Sequence, residues 1–462
     1  MVAAIAAGHP ATLEAGIEIL AEGGSAADGT VAASLASCVA ETVMTGLLGG
    51  GHGIYFDAAT GRARNLDCFV TVPGLGAERR EVKLLELEVP FGAELVHYSI
   101  GPASFAVPGL PAGLGALHRE HGRLPWARLV EPALRLARDG VEFPPAHAAC
   151  LGMLAPVMTM DAGARIYSPE GRLLESGETL RQPGLATALE AIADEGPHSL
   201  YEGSLAEALL ELMRDRGGLV TRDDLLAYEA RWSEPAEYAY GGRRVLTRTG
   251  LEPVGELLTR LPALRALAPG DRALSLVETL SAPDGSGDTT NLVVVDGEGN
   301  ACVLTSSLGL GSGDFVPGLD LHLNSMLGET DLIRGPLEPG ERMESMMSPL
   351  FVHDDDGLAL AAGAAGGTRL RSALVQVVAG ILDEGLAPED AVARPRLHPI
   401  PGLVHLEPGL PGEVVTALEA QGLQVREWPD RHHYFGGVSV VARAGAAGDP
   451  RRSGAAAEIP LR

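Results

Sequence analysis

Thr289-Thr290-Asn291-Leu292-Val293-Val294-Val295-Asp296 opens on two hydroxyl residues and continues as a β-branched run. Directly before it lies Ser281-Ala282-Pro283-Asp284-Gly285-Ser286-Gly287-Asp288, a stretch of turn formers with no apolar pattern, expected to be an exposed connection. A hydroxyl at the head of a core strand, behind an unstructured segment, is what an N-terminal nucleophile needs. Cleavage between Asp288 and Thr289 would free the amine of Thr289 to act as general base for its own hydroxyl. Thr-Thr pairs also open ordinary strands, so the neighbouring segments decide the role.

Three such segments stand out. Gly297-Glu298-Gly299-Asn300 separates the Thr289 strand from a second strand, Ala301 to Ser306. A tight turn centred between Glu298 and Gly299 predicts Ser307 opposite Thr290 and diagonal to Thr289, a hydroxyl beside the nucleophile. Gly363-Ala364-Ala365-Gly366-Gly367-Thr368-Arg369 lies between a predicted strand and helix, where successive amides can serve an oxyanion or an anion, or simply make a tight turn. It has no GxxxxGK[ST] pattern, which excludes a phosphate loop. Met343-Glu344-Ser345-Met346-Met347-Ser348-Pro349, just before another strand, offers serines to a ligand.

The elements that must position these residues are legible from periodicity. Leu13, Ile17 and Leu20, then Val31, Leu35 and Val39, predict a helix pair broken at Gly23-Gly24 and restarted with Ser25 as N-cap. Gly49-Gly50-Gly51 leads into a strand at 53–57, with 65–70 as its hairpin partner. From Leu110 to about Leu280 the pattern is mainly helical, broken near Pro144, Pro183, Gly196 and Gly241. Strands follow at 350–353 and 358–362, a helix at 369–384 and a last strand at 437–442.

Bulk properties exclude whole classes. A chain of 462 residues, 46% hydrophobic, buries a sizeable core. Its formal charge of -26 repels a phosphate backbone, so nucleic acid is not an expected partner. Cys38, Cys68, Cys150 and Cys302 are scattered among apolar residues without metal-ligand spacing, so no metal is expected and the thiols should be buried in a reducing compartment. The N-terminus lacks a basic signal-peptide region, and no apolar run reaches a spanning length of roughly 18 residues. A cytoplasmic protein without a membrane partner is expected.

Together these pieces resemble the gamma-glutamyltranspeptidase family over nearly the whole chain. Thr289-Thr290-Asn291 with Asp296-Gly297-Glu298-Gly299-Asn300-Ala301 is similar to the family's cleavage site, a Thr-Thr-His followed by a strand and an Asp-x-x-Gly-Asn-Ala turn. Gly23-Gly24-Ser25-Ala26-Ala27-Asp28, Gly49-Gly50-Gly51, Gly122-Arg123-Leu124-Pro125-Trp126, Ser345-Met346-Met347-Ser348-Pro349, Gly366-Gly367-Thr368-Arg369 and Asp449-Pro450-Arg451-Arg452 match in family order. The resemblance implies an α/β fold, a four-layer αββα sandwich of the Ntn-hydrolase type. It implies a precursor that cuts itself into chains 1–288 and 289–462, together one αββα unit. Thr289 is then the nucleophile, Ser307 stands for the threonine that hydrogen-bonds it, Gly366 and Gly367 for the oxyanion amides, and Ser345 for the first of two carboxylate-binding serines. No cofactor is implied. The implied partners are a small-molecule acyl donor, a water or amine acceptor, and a homodimer or a heterodimer of the chain's own fragments.

Departures from the family pattern cluster in the donor pocket. Where the family has Asp-Phe-Arg-Glu, with an arginine on the donor's α-carboxylate, this chain has Asp67-Cys68-Phe69-Val70. Met346 replaces the second serine, Gly309 an asparagine, and Met326 a polar residue, while Glu329 falls where an acidic residue meets the donor's α-amine. The segment around Thr249 to Gly255 has no counterpart of the family's proline-serine-glycine wall. A phenylalanine cannot supply a bidentate guanidinium, so the expected chemistry is acyl hydrolysis or transfer with an altered donor. The alternatives are hydrolysis of a carbon-carbon or amide bond in secondary metabolism, or a non-catalytic scaffold with the same fold.

Overall fold

Ser25 starts the central helix through a reciprocal box: its hydroxyl accepts from the Asp28 amide at 3.2 Å while Asp28 accepts from the Ser25 amide at 2.9 Å. Such a cap contributes about 1 kcal/mol. Asp28 also accepts from the amide of Arg123 at 2.9 Å, which ties the Gly122-Arg123-Leu124 turn to the helix. All fifteen residues of Ala26–Ala40 are buried, so this helix is enclosed, with Pro10–Ala21 packed along it. The computed structural model describes residues 3–78, 82–91, 94–251, 253–281 and 289–460. The 282–288 connection, with the predicted cleavage residue Asp288, lies outside the described residues.

Two antiparallel sheets form the centre. One has seven strands in the spatial order Ala455–Glu458, Ala4–Ala7, Thr290–Val295, Ala301–Ser307, Gly50–Asp57, Arg62–Cys68 and Arg231–Ser233. The other has six: Gly445–Ala447, Gly437–Ala442, Gly357–Ala365, Leu350–Asp354, Arg243–Thr247 and Ala236–Tyr240. Alternation along Thr290–Val295 sorts the layers. Val293 and Val295 pack between the sheets with Phe351, Ala361 and Val441. Leu292 and Val294 face the helices with Val31, Leu35 and Val39. On the far side Leu350, Val352 and Leu360 pack against Leu370, Leu374 and Val377 of the helix Arg369–Leu382. The result is the expected αββα sandwich.

The hairpin register differs from the expected one by a residue. Thr290 pairs with Ser306 and Asn291 with Thr305, so Ser307 falls level with Thr289 rather than opposite Thr290. The cause is the turn. The Asp296 amide donates to the Asn300 carbonyl at 3.0 Å, which closes a three-residue loop centred on Glu298 with Gly299 at φ +86°. The Asp296 carboxylate holds it by accepting from the amides of Glu298 at 2.9 Å and Asn300 at 3.0 Å.

Other differences concern short or closely packed strands. The strand expected to end at 362 runs on to Ala365, because Gly363 lies against the Asn291 side chain: a Cβ there would fall 2.1 Å from Asn291 Oδ1. Arg231–Ser233, Ala236–Tyr240 and Arg243–Thr247 interrupt the half expected to be helical, and Leu85–Phe91 pairs with Glu94–Ile100. Gly437–Ala442 is not the last strand, since Gly445–Ala447 and Ala455–Glu458 follow as sheet edges. All four cysteines are buried thiols outside any disulfide. Among the described residues no helix is long and apolar enough to cross a membrane.

Candidate active site

Thr289 sits at the mouth of the gap between the sheets, 5% exposed, and its hydroxyl oxygen accepts from the Gly366 amide at 2.7 Å. Gly366 and Gly367 have φ of +121° and +57°, a conformation that side chains rarely adopt. A Cβ on Gly366 would fall 2.9 Å from Gly436 Cα, so the turn just before the Gly437–Ala442 strand also requires glycine there. The Arg369–Leu382 helix begins two residues later, and the positive end of its dipole lies by Thr289. The amide that donates to the Thr289 oxygen orients that hydroxyl, and the same turn can present amides to the oxygen of a carbonyl under attack, where the negative charge develops.

Around Thr289 is a small pocket of about 20 Å³, lined by Phe69, Ser307, Glu329, Ser345, Met346 and Gly367 together with Met326, Met347 and the two leucines Leu332 and Leu370. That volume holds a water and no acyl group, so a donor enters only as side chains move aside. All the residues expected at the site therefore meet there, save Gly366, which reaches Thr289 from behind, and Asp288. Ser307 accepts from the Gly309 amide at 2.9 Å. Ser345 accepts from the Met347 amide at 3.2 Å, so its oxygen is turned into its own loop. Phe69 stacks on His52 with ring centroids 5.3 Å apart and joins Met326, Leu332, Met343, Met346 and Met347 in one apolar cluster. A cleft of about 920 Å³ opens elsewhere, by Leu210, Met213 and Leu337, and contains neither Thr289 nor Ser307.

Glu329 is buried at 3% exposure, close under Gly309. Gly309 has φ +69°, and a Cβ there would fall 2.4 Å from Glu329 Oε1 and 2.6 Å from Ser325 Oγ. Gly309→Ala is therefore expected to push the Glu329 carboxylate out of place and to destabilise the fold by about 1–3 kcal/mol. Thermal unfolding and donor KM measure the two effects, and a variant unchanged in both contradicts the placement.

Two arginines behind Phe69 are not singled out by the sequence pattern. Arg342 donates to the Phe69 carbonyl at 2.5 Å and to Tyr228, and lies 3.3 Å from Asp67. Arg248 donates to the carbonyls of Ser345 at 2.9 Å and Met347 at 3.1 Å, so it braces the methionine loop. Neither lines the cavity at Thr289. Their only sequence signal is adjacency: Arg342 directly precedes Met343, and Arg248 precedes the unmatched segment.

The Acylase ACY 1 proenzyme of Pseudomonas sp. strain SE83 is 28% identical, over 94% of this chain and 88% of the relative. The glutathione hydrolase proenzyme of Escherichia coli K12 is 27% identical, over 89% and 84%. The crystal structure of cephalosporin acylase from Bacillus halodurans superposes with a TM-score of 0.81 at 24% identity, covering 99% of this chain and 95% of that one, a likeness of fold. The family model for gamma-glutamyltranspeptidase matches residues 12–267 and 265–459, so the chain belongs to the gamma-glutamyltranspeptidase family of hydrolases and transferases.

Proposed function

We propose that the chain cuts itself between Asp288 and Thr289 and then acts as an N-terminal-threonine acyl hydrolase or transferase on a donor less charged than a gamma-glutamyl group. The observation that carries this is the Thr289 hydroxyl on the Gly366 amide, facing a pocket walled by Phe69, Met326 and Met346. In self-cleavage the Thr289 oxygen attacks the Asp288 carbonyl, the peptide C–N bond breaks, and the nitrogen leaves as the free amine of Thr289. Water then hydrolyses the resulting ester. In turnover that amine takes the hydroxyl proton, Thr289 attacks the donor carbonyl, and the proton passes to the leaving amine. Gly366 and Gly367 supply the amides for the oxyanion. Water or an acceptor amine resolves the acyl-enzyme.

The fragments 1–288 and 289–462 would stay together as a heterodimer. Thr290–Val295 is hydrogen-bonded to Ala4–Ala7 on one side, and Ala301–Ser307 to Gly50–Asp57, so each fragment supplies strands that the other flanks. The relatives include an acylase and a glutathione hydrolase at near-equal identity, so the choice of donor rests on the pocket residues. Glu329 leaves room for an amine on the acyl group, whereas Phe69 and Met346 leave no charge for its carboxylate.

The test is to react purified protein with apolar acyl anilides and weigh the fragments. An acyl adduct on the 174-residue fragment (462 minus 288) is the expected result, and a donor turned over without any adduct on Thr289 contradicts it. Ser307→Ala is expected to slow both maturation and turnover roughly tenfold, the worth of one hydrogen bond of about 1–2 kcal/mol at the nucleophile. Gel densitometry and anilide release read the two rates. Wild-type rates in that variant would mean that the level placement of Ser307 and Thr289 has no catalytic consequence.

A further inference from the structure

Glu41 follows the central helix Ala26–Ala40 and is 1% exposed, with the apolar Cys38, Val39 and Ala40 directly before it. Thr12 donates to its Oε1 at 2.7 Å, and Thr290, the residue after the nucleophile, donates to its Oε2. Gly8 closes over this pair: a Cβ there would fall 2.3 Å from Glu41 Oε2 and 2.7 Å from Thr290 Oγ1. Arg452, also buried, is the cation whose field acts on the carboxyl. Its Nη1 lies 3.5 Å from the Thr289 carbonyl oxygen, and its Nη2 lies 3.1 Å from the place of a Cβ on Gly366. Carboxyl and guanidinium thus sit under the first two residues of the nucleophile strand.

We propose that Glu41 is a positioning residue for the nucleophile: through Thr290 and Arg452 it fixes the backbone of Thr289 so that the hydroxyl meets the Gly366 amide in self-cleavage and in turnover. This rests on Thr289 being the nucleophile. Glu41 does not line the cavity at Thr289, so it acts through its partners. A carboxyl in this place is costly to the fold. Burial pushes its pKa up to about 7 from 4.5, with Thr12, Thr290 and Arg452 pulling the other way. The folded state therefore binds the proton more tightly than the unfolded chain. The contribution of Glu41 to stability is fully present below about 4.5 and is lost as pH rises through about 7. The groups facing Glu41 are Thr12 from Pro10–Ala21, Thr290 from its strand, Arg452 from the Pro450–Arg452 turn and Cys38 on its own helix, whose thiol burial pushes well up.

The experiment compares wild type, Glu41→Gln, Thr290→Val and the double variant for conversion of the 462-residue chain, for kcat and KM, and for Tm at pH 5 and pH 8. Each single variant is expected to slow self-cleavage and kcat about tenfold with KM unchanged, and the double variant to be no slower than the slower single one. Glu41→Gln, with no proton to lose, should lose less Tm than wild type between pH 5 and pH 8. Wild-type rates in both single variants, a change confined to KM, or multiplicative loss in the double variant would overturn the role of Glu41. Should Glu41→Gln not fold, Thr290→Val alone must show the slowing at unchanged KM. A wild-type chain that never cuts itself would instead overturn the assignment of Thr289.

Discussion

Thr289→Ala is expected to leave the chain in one piece and to abolish acyl turnover. In the proposed mechanism the same oxygen performs both reactions, and alanine offers the Gly366 amide nothing to hold. Removing the nucleophile of a hydrolase that works by an acyl intermediate costs roughly 10⁴-fold or more, leaving only what binding and oxyanion amides supply. The fold should survive, because Thr289 precedes the ladder that begins at Thr290 and the pairs from Thr290 to Val295 are untouched. Circular dichroism and a denaturing gel separate the cases. A folded Thr289→Ala chain that is still cut, or still turns over donors, places the nucleophile elsewhere.

The second large effect concerns the donor. A gamma-glutamyl group brings a carboxylate to a wall made of Phe69, Met326 and Met346, where it loses water and meets no cation. The loss of a charged hydrogen-bond pair costs about 2–5 kcal/mol in transition-state binding, so gamma-glutamyl anilide should be turned over roughly 30-fold to several thousand-fold less well than an apolar acyl anilide. Arg342 and Arg248 do not rescue it, because both guanidiniums are spent on backbone carbonyls behind that wall. Phe69→Arg with Met346→Ser restores a cation and a hydroxyl and should raise the gamma-glutamyl to apolar ratio about tenfold or more. The ratio is the proper readout, since replacing a buried phenylalanine that stacks on His52 also lowers stability. Efficient gamma-glutamyl turnover by the wild type contradicts the proposed donor.

The sequence made the chemistry more legible than the geometry. Thr289, Ser307, Glu329, Ser345 and the Gly366-Gly367 pair were visible as residue types in family order, and the cavity brings all but Gly366 to its lining. The hairpin register was not visible, because it depends on whether Gly299 adopts a positive φ, which the turn composition permits either way. The strand Ala4–Ala7 and the edge strand Ala455–Glu458 were hidden for a different reason. Alanine carries little strand preference, and pairing with a neighbour makes these segments strands. Glu41 did leave a trace, an acidic residue directly after the apolar Cys38, Val39 and Ala40, but its partners Thr12, Thr290 and Arg452 come from distant parts of the chain. Side chains that act by bracing a loop, such as Arg248, carry no local signal beyond adjacency in sequence.

The central claim is that Thr289 becomes an N-terminus. Intact-mass measurement of the purified wild-type protein under denaturing conditions, with N-terminal sequencing of the smaller species, tests it directly. The expected result is two fragments of 288 and 174 residues (462 minus 288), the smaller beginning Thr289-Thr290-Asn291. A folded wild-type chain that stays at 462 residues through prolonged incubation, or a cut at any other bond, would contradict it.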